Sequence, residues 1–410
     1  MIFKCWEWLK IFGDDSLHQV PATPSPVTEL CDDVLANILH RVKPDTLARF
    51  KCVNRESRRL ISDPEFLQKY RSQLPHPTYP LAGFFYHHQH TVDFKDFSER
   101  SPKCLDRSLG FFPNPVRILA SRNGLVLCTT GKTTPLRYYV CNPITKRFVI
   151  LPESKYPYDS YSTGFFVDSD YGHYQVVRIP SLVARNHFAF VETFSSETGK
   201  WRLVKLELPS PYCLFSLDWP AVQWKRLLLW VDGLRSILAY DVTQERFKFL
   251  DLPHVNPRNQ CQYKRVVIKY GMLGVSGGLL SYVFTDTNSV TTWVRVCKQW
   301  VMAGRVSPGF IASNNSEVRR IIRTSNPEGV SGCGWRGPAF RPLCFNEFDP
   351  RVVFLRLPGC IVSYHFQQRC IEVVQELPED EKIEIAFPYV VPQLPFDVHY
   401  QLNGSMRFSS

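Results

Sequence analysis

Residues 30–70 read LCDDVLANILHRVKPDTLARFKCVNRESRRLISDPEFLQKY, and the spacing of their apolar side chains predicts a short set of helices. From Leu30 the apolar positions follow at steps of four, one, three, one and three residues, which places all of them on one face of a helix. These residues are Leu30, Val34, Leu35, Ile38, Leu39 and Val42. Lys43-Pro44 ends this helix, because proline disfavours the α conformation in the residue before it and lacks a backbone donor.

Helical signals continue after this proline. Asp45 is a candidate N-cap, and apolar residues recur every three positions behind it, at Leu47, Phe50 and Val53. Asp63-Pro64 then provides another N-cap, with proline at the first helical position. The apolar residues behind this second cap are Phe66, Leu67 and Tyr70.

A helical unit of this length has more apolar surface than it can cover alone. Isolated domains below roughly 40 residues usually need a metal, a disulfide or a partner to be stable. We therefore expect the first helix to bind a groove on another protein, as amphipathic helices commonly do. The alternative is a helical cap that packs on the chain's own second domain.

The order Leu-x-Asp-Asp-Val-Leu, Ile-Leu, a proline turn, Leu-x-Arg-Phe-Lys-Cys-Val and Leu-Ile-Ser-Asp-Pro-x-Phe resembles the F-box motif of plant F-box proteins. The resemblance implies binding to a Skp-family adaptor and, through it, to cullin and RING subunits. Cys31 and Ser57 depart from the family's usual proline and tryptophan, so we expect weaker adaptor binding than is typical. The implied adaptor contacts are Leu30, Val34, Leu35, Ile38, Leu39, Val42, Leu47, Phe50 and Val53.

The composition predicts a protein of two or three folded domains. The chain has 410 residues, of which 44% are hydrophobic, enough for a sizeable core. Its 31 prolines and 21 glycines suit many short strands joined by tight turns. The net charge of +11 permits acidic partners, but the basic residues are scattered, with a lesser cluster at Arg319, Arg320 and Arg323. We therefore expect a solvated surface and no nucleic-acid partner.

The cysteines and apolar runs indicate a cellular compartment. Thirteen cysteines are dispersed through the chain without CxxC spacing, which favours reduced thiols over disulfides or a zinc site. No apolar run approaches the roughly 20 residues that a membrane helix needs. We expect a soluble protein of the nucleus and/or cytoplasm, with no membrane span, no metal and no cofactor.

Beyond residue 81 the helical spacing gives way to short apolar strands that share a repeated plan. Each unit is a strand, a polar turn, a basic or polar residue, an aromatic or apolar anchor and a second strand that usually ends in Leu-Pro. The units are YYVCNPITKRFVILP (138–152), ETFSSETGKWRLVKLELP (192–209), LAYDVTQERFKFLDLP (238–253) and VSYHFQQRCIEVVQELP (362–378). SVTTWVRV (289–296) is interpreted as a fifth copy.

The spacing of the anchors predicts the fold. Phe148, Trp201, Phe247 and Trp293 follow one another at 53, 46 and 46 residues, and the anchor recurs near Ile371. A period near 40–50 residues built of short strands indicates a β-propeller. We expect about six blades, with a range of five to seven and a β-sandwich as the second choice. The repeats resemble the F-box-associated and kelch-like C-terminal domains of plant F-box proteins.

The predicted fold is multidomain, a small helical F-box followed by an all-β propeller-like domain. The predicted boundaries are an N-terminal tail at 1–27, the F-box at 28–72, a linker at 73–80, the propeller-like domain at 81–400 and a C-terminal tail at 401–410.

Candidate chemical sites are few. His87-His88-Gln89-His90 has no carboxylate or cysteine at a familiar metal spacing, so a loop or strand edge is the favoured interpretation. The glycine-rich run 329–337, GVSGCGWRG, lacks the GK[ST] ending of a phosphate loop. We interpret it as a rim loop in which Trp335 and Arg336 contact a target protein. No HExxH motif is present, and the sequence nominates no catalytic residue.

The resemblance implies the substrate-recognition subunit of an SCF-type (Skp-cullin-F-box) ubiquitin ligase, a non-catalytic receptor that promotes ubiquitination and degradation of an unknown target. The alternative is a glycan-binding or enzymatic propeller with a helical cap. That alternative needs a polar site in the central channel, and the sequence nominates none. A nucleic-acid binder is a third hypothesis that rests on net charge alone.

Overall fold

The computed structural model describes residues 32–42, 47, 50, 53–61, 63, 66, 69–70, 81–88, 91–97, 102–130, 137–154, 161–168, 173–183, 187–209, 212–214, 221–232, 236–253, 271–286, 289–325, 340–378, 383 and 385–391. The predicted tails at 1–27 and 401–410 and the linker at 73–80 lie outside these residues. No helix in this part of the chain is long and apolar enough to cross a membrane.

The N-terminal unit contains helices α1 (Asp32–Leu39) and α2 (Arg55–Ile61). Helix α1 carries acidic residues in its first turn, where they interact favourably with the helix dipole. It ends at Leu39 instead of Val42, because Val42 N donates to Leu39 O in a tighter final turn. The apolar spacing did not predict α2, whose cap is Asn54: its Oδ1 accepts a hydrogen bond from Ser57 N at 2.7 Å.

Of the two predicted N-caps, Asp63 lies within the described residues and Asp45 does not. Asp63 Oδ1 accepts a hydrogen bond from Phe66 N at 3.0 Å, which confirms the predicted N-cap. Phe66 and Tyr70 are helical behind it. Asp45 lies outside the described residues, although Leu47 and Phe50 are both helical.

Twenty-five strands follow the helical unit in the described residues. The first half of the set is β1 (Leu81–His88), β2 (Thr91–Asp96), β3 (Arg117–Arg122), β4 (Leu125–Thr130), β5 (Arg137–Asn142), β6 (Arg147–Ile150), β7 (Tyr161–Val167), β8 (Tyr174–Pro180), β9 (Leu182–Val183), β10 (Phe188–Ser195), β11 (Lys200–Glu207) and β12 (Tyr212–Cys213). The second half is β13 (Val222–Trp224), β14 (Leu227–Asp232), β15 (Ser236–Asp241), β16 (Arg246–Asp251), β17 (Gly271–Ser276), β18 (Leu279–Thr285), β19 (Val290–Val296), β20 (Gln299–Val306), β21 (Arg341–Phe345), β22 (Val352–Leu357), β23 (Cys360–His365), β24 (Cys370–Glu376) and β25 (Ala386–Val390).

These strands form six antiparallel blades and one small extra pair. Blade 1 has the order β2-β1-β25, and the four-stranded blades that follow are β3–β6, β7-β8-β10-β11, β13–β16, β17–β20 and β21–β24. Strands β9 and β12 pair separately. The inner strands contact one another in the cyclic order β25, β3, β7, β13, β17, β21 and back to β25. The predicted six-bladed propeller is therefore confirmed, and the β-sandwich is excluded.

Two helices interrupt the repeat between blades 5 and 6. They are α3 (Pro308–Ser313) and α4 (Ser316–Ser325). Ser307 caps α3 by accepting a hydrogen bond from Phe310 N at 3.2 Å, and proline occupies the start of the helix. Helix α4 buries Val318 and Ile321 in the core of blade 6. The repeat pattern of the sequence did not predict these two helices.

The outer hairpin of each four-stranded blade turns through a left-handed residue two positions before the anchor. These residues are Lys146 (φ 57°), Gly199 (φ 65°), Glu245 (φ 48°), Lys298 (φ 72°) and Arg369 (φ 53°). The anchors they precede are Phe148, Trp201, Phe247, Trp300 and Ile371. The equivalent residue of blade 5 is therefore Trp300 on β20, and the assignment of Trp293, which lies on β19, is corrected.

Polar side chains at the end of the third strand hold several of these turns. Asn142 Oδ1 accepts hydrogen bonds from Ile144 N at 2.9 Å and Thr145 N at 3.3 Å. In blade 4, Asp241 Oδ1 accepts equivalent hydrogen bonds from Thr243 N and Gln244 N. This local pairing explains why Asn or Asp suits the turn position of the repeated unit.

Each of six apolar clusters joins one blade to the next. The first joins blades 1 and 2 and contains Phe85, Val126 and Tyr389. Equivalent clusters lie at every other blade boundary, and the last, with Leu343 and Phe84, joins blade 6 to blade 1. The propeller core is therefore a closed series of blade contacts.

One ion pair is buried within blade 3, where Arg178 on β8 lies opposite Glu192 on β10. Arg178 Nη1 lies 2.7 Å from Glu192 Oε2, and neither side chain has appreciable exposure. Ser154 Oγ also donates to Glu192. The guanidinium lies 4.0 Å from the ring centroid of Tyr161, so cation–π attraction supplements the ion pair.

Removing one member of this pair should destabilise the propeller more than replacing both. Glu192→Gln leaves Arg178 as an uncompensated buried charge, with an expected cost of about 3–5 kcal/mol. The double variant Arg178→Met/Glu192→Leu should lose less, because it removes both desolvated charges. Urea denaturation of the three proteins measures the difference. A double variant that is less stable than Glu192→Gln contradicts this account.

Tyr389 on β25 is a second determinant of stability, because it lies where the ring closes. It is fully buried, packs edge-on to Phe85 with centroids 5.4 Å apart, and donates from Oη to Gly124 O at 3.3 Å. Burial raises the pKa of Tyr389 well above its usual range, so the phenol stays neutral.

Tyr389→Ala should therefore cost about 3–5 kcal/mol of unfolding free energy, and Tyr389→Phe about 1 kcal/mol. Phe348→Ala is the matched control, because Phe348 is an exposed aromatic residue and its truncation should change stability by less than about 0.5 kcal/mol. Urea unfolding monitored by tryptophan fluorescence gives all three values. Equal losses for Tyr389→Ala and Phe348→Ala would refute the closing role of Tyr389.

Candidate functional site: the helical docking surface

Helix α1 has an inner side that belongs to the core of the helical unit. Leu39 is fully buried there. The cluster comprises Leu39, Leu47, Ile61, Phe66 and Tyr70, with Leu35, Ala36, Val42, Phe50 and Leu60 packed against it as partly buried residues. The short helices thus form a small core, which includes Leu35, Leu39 and Val42 of the predicted stripe.

Helix α1 exposes two aliphatic side chains on its outer side. Val34 and Ile38, one helical turn apart, have exposed fractions of 43% and 48%. We call these two residues the docking surface. Val53, in the turn before α2, is 66% exposed. Two aliphatic side chains one turn apart on an amphipathic helix match the spacing with which such helices dock into apolar grooves.

The nine predicted adaptor contacts fall into four groups by their exposure. The exposed residues, Val34, Ile38 and Val53, remain predicted contacts. The partly buried residues, Leu35, Val42 and Phe50, are shared between core and surface. The side chains of Leu39 and Leu47 are fully buried in the core of the helical unit. Leu30 lies outside the described residues.

Several contacts fix α1 against the rest of the unit. Arg59 on α2 donates to Asp32 at the start of α1, and the hydrogen bond with Asp32 raises the pKa of Arg59. Tyr70 Oη donates to Val42 O at the end of α1. His40 stacks on Phe66 with ring centroids 4.4 Å apart. Both ends of α1 are therefore held, which presents the docking surface in a defined orientation.

Ser57, one of the two departures from the F-box pattern, lies on the inner side of α2. It is 3% exposed, so the position is part of the core of the helical unit. A small side chain at this place reduces apolar burial within the unit. Cys31, the other departure, lies outside the described residues.

The remaining sequence candidates are Trp335, Arg336 and the histidines of the 87–90 run. Trp335 and Arg336 lie outside the described residues. His87 lies on β1 and donates from Nε2 to Ile118 O at 3.2 Å, and burial lowers its pKa, so it is a neutral structural histidine. His88 lies 3.2 Å from Asp93 on the neighbouring strand. Among the described residues no group of three or more histidine, cysteine or acidic side chains is placed to hold a metal ion.

Both parts of the chain match known families. Residues 27–69 match the F-box domain, and residues 88–389 match the family described as F-box protein At3g26010-like, beta-propeller. The fold and the helical surface thus define an F-box protein with a propeller. The chain belongs to the At3g26010-like beta-propeller family of F-box proteins. Neither match tests the likeness to kelch repeats.

Similar proteins come from a plant. F-box protein At5g07610 of Arabidopsis thaliana is 27% identical, over 63% of this chain and 64% of that protein. F-box protein At5g49610 of the same species is 30% identical, over 54% of this chain and 64% of that protein. The alignments therefore cover less than two thirds of each relative. A functionally unknown protein from Desulfotomaculum acetoxidans DSM 771 aligns with a TM-score of 0.36 and 10% identity, over 72% of this chain and 79% of that one, which is too low to carry an argument.

Because Leu39 is buried and Ile38 is exposed, truncating these two adjacent residues should change the stability by different amounts. Leu39→Ala should lower the local stability of the helical unit by about 2–5 kcal/mol, because it opens a cavity in a small core. Ile38→Ala should change it by less than about 0.5 kcal/mol, because Ile38 is half exposed. Hydrogen exchange of α1 and α2 amides in the full chain measures both. Comparable acceleration of exchange by the two variants would show that Leu39 and Ile38 do not lie on the buried and the exposed side of α1.

Proposed function

We propose that this protein is the substrate-recognition subunit of an SCF-type ubiquitin ligase. The docking surface, Val34 and Ile38, binds a Skp-family adaptor, which links the chain to cullin and RING subunits. The observation that carries the proposal is the exposure of this aliphatic pair on a helix whose neighbouring residue, Leu39, is fully buried in the unit's own core. Membership of the F-box family supports the same role.

In this role the chain performs no covalent chemistry. The propeller binds a target protein and holds it near the ubiquitin-conjugating enzyme that the scaffold recruits. The chain then accelerates transfer by raising the effective concentration of the target, which is a large kinetic factor. Trp335 and Arg336 remain the proposed target contacts, and the nucleus and/or cytoplasm the proposed location. No nucleic-acid partner is part of the proposal.

The exposed position of the docking surface allows a direct test. Val34→Asp/Ile38→Asp places two charges where the adaptor would exclude water, so adaptor affinity should fall by at least about 100-fold. The core residues are unchanged, so the helical unit should stay folded. Calorimetric titration of the purified full chain with a Skp-family adaptor measures the affinity, and hydrogen exchange checks the fold.

A matched control separates the docking surface from exposed apolar residues in general. Val301→Asp/Met302→Asp makes the same change at two exposed residues of β20, the outer strand of blade 5. This variant should bind the adaptor as the unchanged protein does. Equal adaptor affinity of both double variants and the unchanged chain would overturn the proposal.

A further inference from the structure

Blade 5 ends in an outer strand with exposed apolar side chains at its centre. Strand β20 is the last strand in the order β17-β18-β19-β20, and among the described residues it pairs with β19 alone. Val301 is 51% exposed, Met302 is 58% exposed, and Ala303 is exposed as well. Because successive side chains of a strand point to opposite faces, both faces of the sheet are open to solvent at this edge.

The other described outer strands are protected as edge strands usually are, by charge, by short length or by a covering element. Strands β2, β11 and β16 carry charged side chains along their length, and β6 has four residues. Strand β24 is covered by α4, and Asn315, directly before that helix, donates from Nδ2 to Ile371 O at 3.1 Å. Strand β20 has eight residues, with no proline and no charge before Arg305, and its register shift falls after Met302.

Contacts with both neighbouring blades hold β20 in position. Trp300 Nε1 donates to Asp251 O of β16 at 2.7 Å, which joins the start of β20 to blade 4. Towards the other end, Gly304 lies so close to the ring of Phe366 in blade 6 that a side chain at this position would displace the ring. The edge is therefore already ordered before a partner arrives, which lowers the entropy cost of adding a further strand.

The charges of this hairpin are basic. Between Asp286 and Glu317 the sequence has three basic residues and no acidic residue. These are Arg295 on β19, Lys298 in the turn and Arg305 on β20. Lys298 and Arg305 are exposed, lie near opposite ends of β20, and form no ion pair with a described residue. Blade 4 brings one acidic residue, Asp251, beside the hairpin, so a net positive charge remains at this edge.

We propose that β20 binds an extended acidic segment of another protein, which adds to blade 5 as a fifth strand. Main-chain hydrogen bonds to the outer edge of β20 provide affinity, and apolar side chains of the segment pack against Val301 and Met302. Acidic residues on either side of this apolar part pair with Lys298 and Arg305, whereas a basic segment is repelled. If the ligase proposal holds, the segment belongs to the target, but the docking itself does not depend on that proposal.

Synthetic peptides test both the strand pairing and the charge. In ligand-observed NMR titrations of the purified full chain, the acidic peptide EETVTVTEE should bind with a Kd on the order of 100 μM. The basic peptide KKTVTVTKK has the same centre and should bind at least about 10-fold more weakly. The peptide EETPTPTEE lacks two backbone donors and should not bind detectably. Absence of EETVTVTEE binding at concentrations up to about 2 mM, or equal binding of the acidic and basic peptides, would overturn the proposal.

Two double variants locate the binding edge. Val301→Asp/Met302→Asp removes the apolar contacts and adds negative charge, so it should weaken EETVTVTEE at least about 10-fold. Lys298→Glu/Arg305→Glu should weaken EETVTVTEE by a similar factor and strengthen KKTVTVTKK, a gain that loss of folding cannot produce. Ile150→Asp, at an exposed residue of the outer strand of blade 2, is the control that should bind normally. Unchanged affinity in both double variants would place any binding elsewhere and overturn the proposal.

Sedimentation velocity separates an acidic partner from a second copy of this chain. The basic residues of the hairpin disfavour pairing of β20 with the β20 of another copy, because like charges would then meet. The chain should therefore form no dimer that depends on this edge. A dimer that Val301→Asp/Met302→Asp dissociates, together with absence of peptide binding, would assign the edge to self-association and overturn the proposal.

The same variants keep this proposal separate from the ligase proposal. Val34→Asp/Ile38→Asp should lose the adaptor and bind EETVTVTEE as the unchanged chain does. Val301→Asp/Met302→Asp should lose the peptide and keep the adaptor. A failure of the adaptor measurement alone counts against the ligase proposal, and a failure of the peptide measurement alone counts against the role of β20.

Discussion

The pairing of β25 with β1 is the constraint on which the propeller depends. Blade 1 has strands from both ends of the propeller sequence, so hydrogen bonds between Ala386–Val390 and Leu81–His88 turn an open row of blades into a ring. The apolar clusters are cyclic, and the first and last both use residues of blade 1. Without this pairing, blades 2 and 6 would each expose an apolar face. The stability of every blade-to-blade boundary therefore depends on the pairing of β25 with β1.

Local patterns predicted much of this fold because the blades repeat the same arrangement of turn residue and anchor. The turn residues Asn142 and Asp241 and the anchors Phe148 and Phe247 have the same local surroundings in different blades. Trp293 was misassigned because blade 5 has tryptophans on both its third and fourth strands. Only the left-handed turn at Lys298 shows that Trp300 is the equivalent residue. Blade 1 had no repeat signal, because its strands are divided between distant parts of the chain.

Local sequence patterns predicted less of the candidate sites. The spacing of apolar residues placed Ile38 and Leu39 on one stripe, but it contained no information on which side the later helices would cover. Adjacent helical residues differ in direction by about 100°, and this difference separates a core leucine from a surface isoleucine. The ion pair of Arg122 with Glu347 forms only because the ring brings β3 near β21. A contact of that kind depends on the closed fold and leaves no local pattern.

The pairing of β25 with β1 also determines when the ring can close during synthesis. The F-box helices and β1 leave the ribosome before blades 2 to 6, whereas β25, the partner of β1, is made after every other described strand. Until then, the apolar residues Phe84 and Phe85 of β1 have no closing strand to cover them. A chain that stops before Ala386 would still carry the F-box sequence but would lack a closed platform. Translation through β25 is thus the step that allows the propeller ring to close.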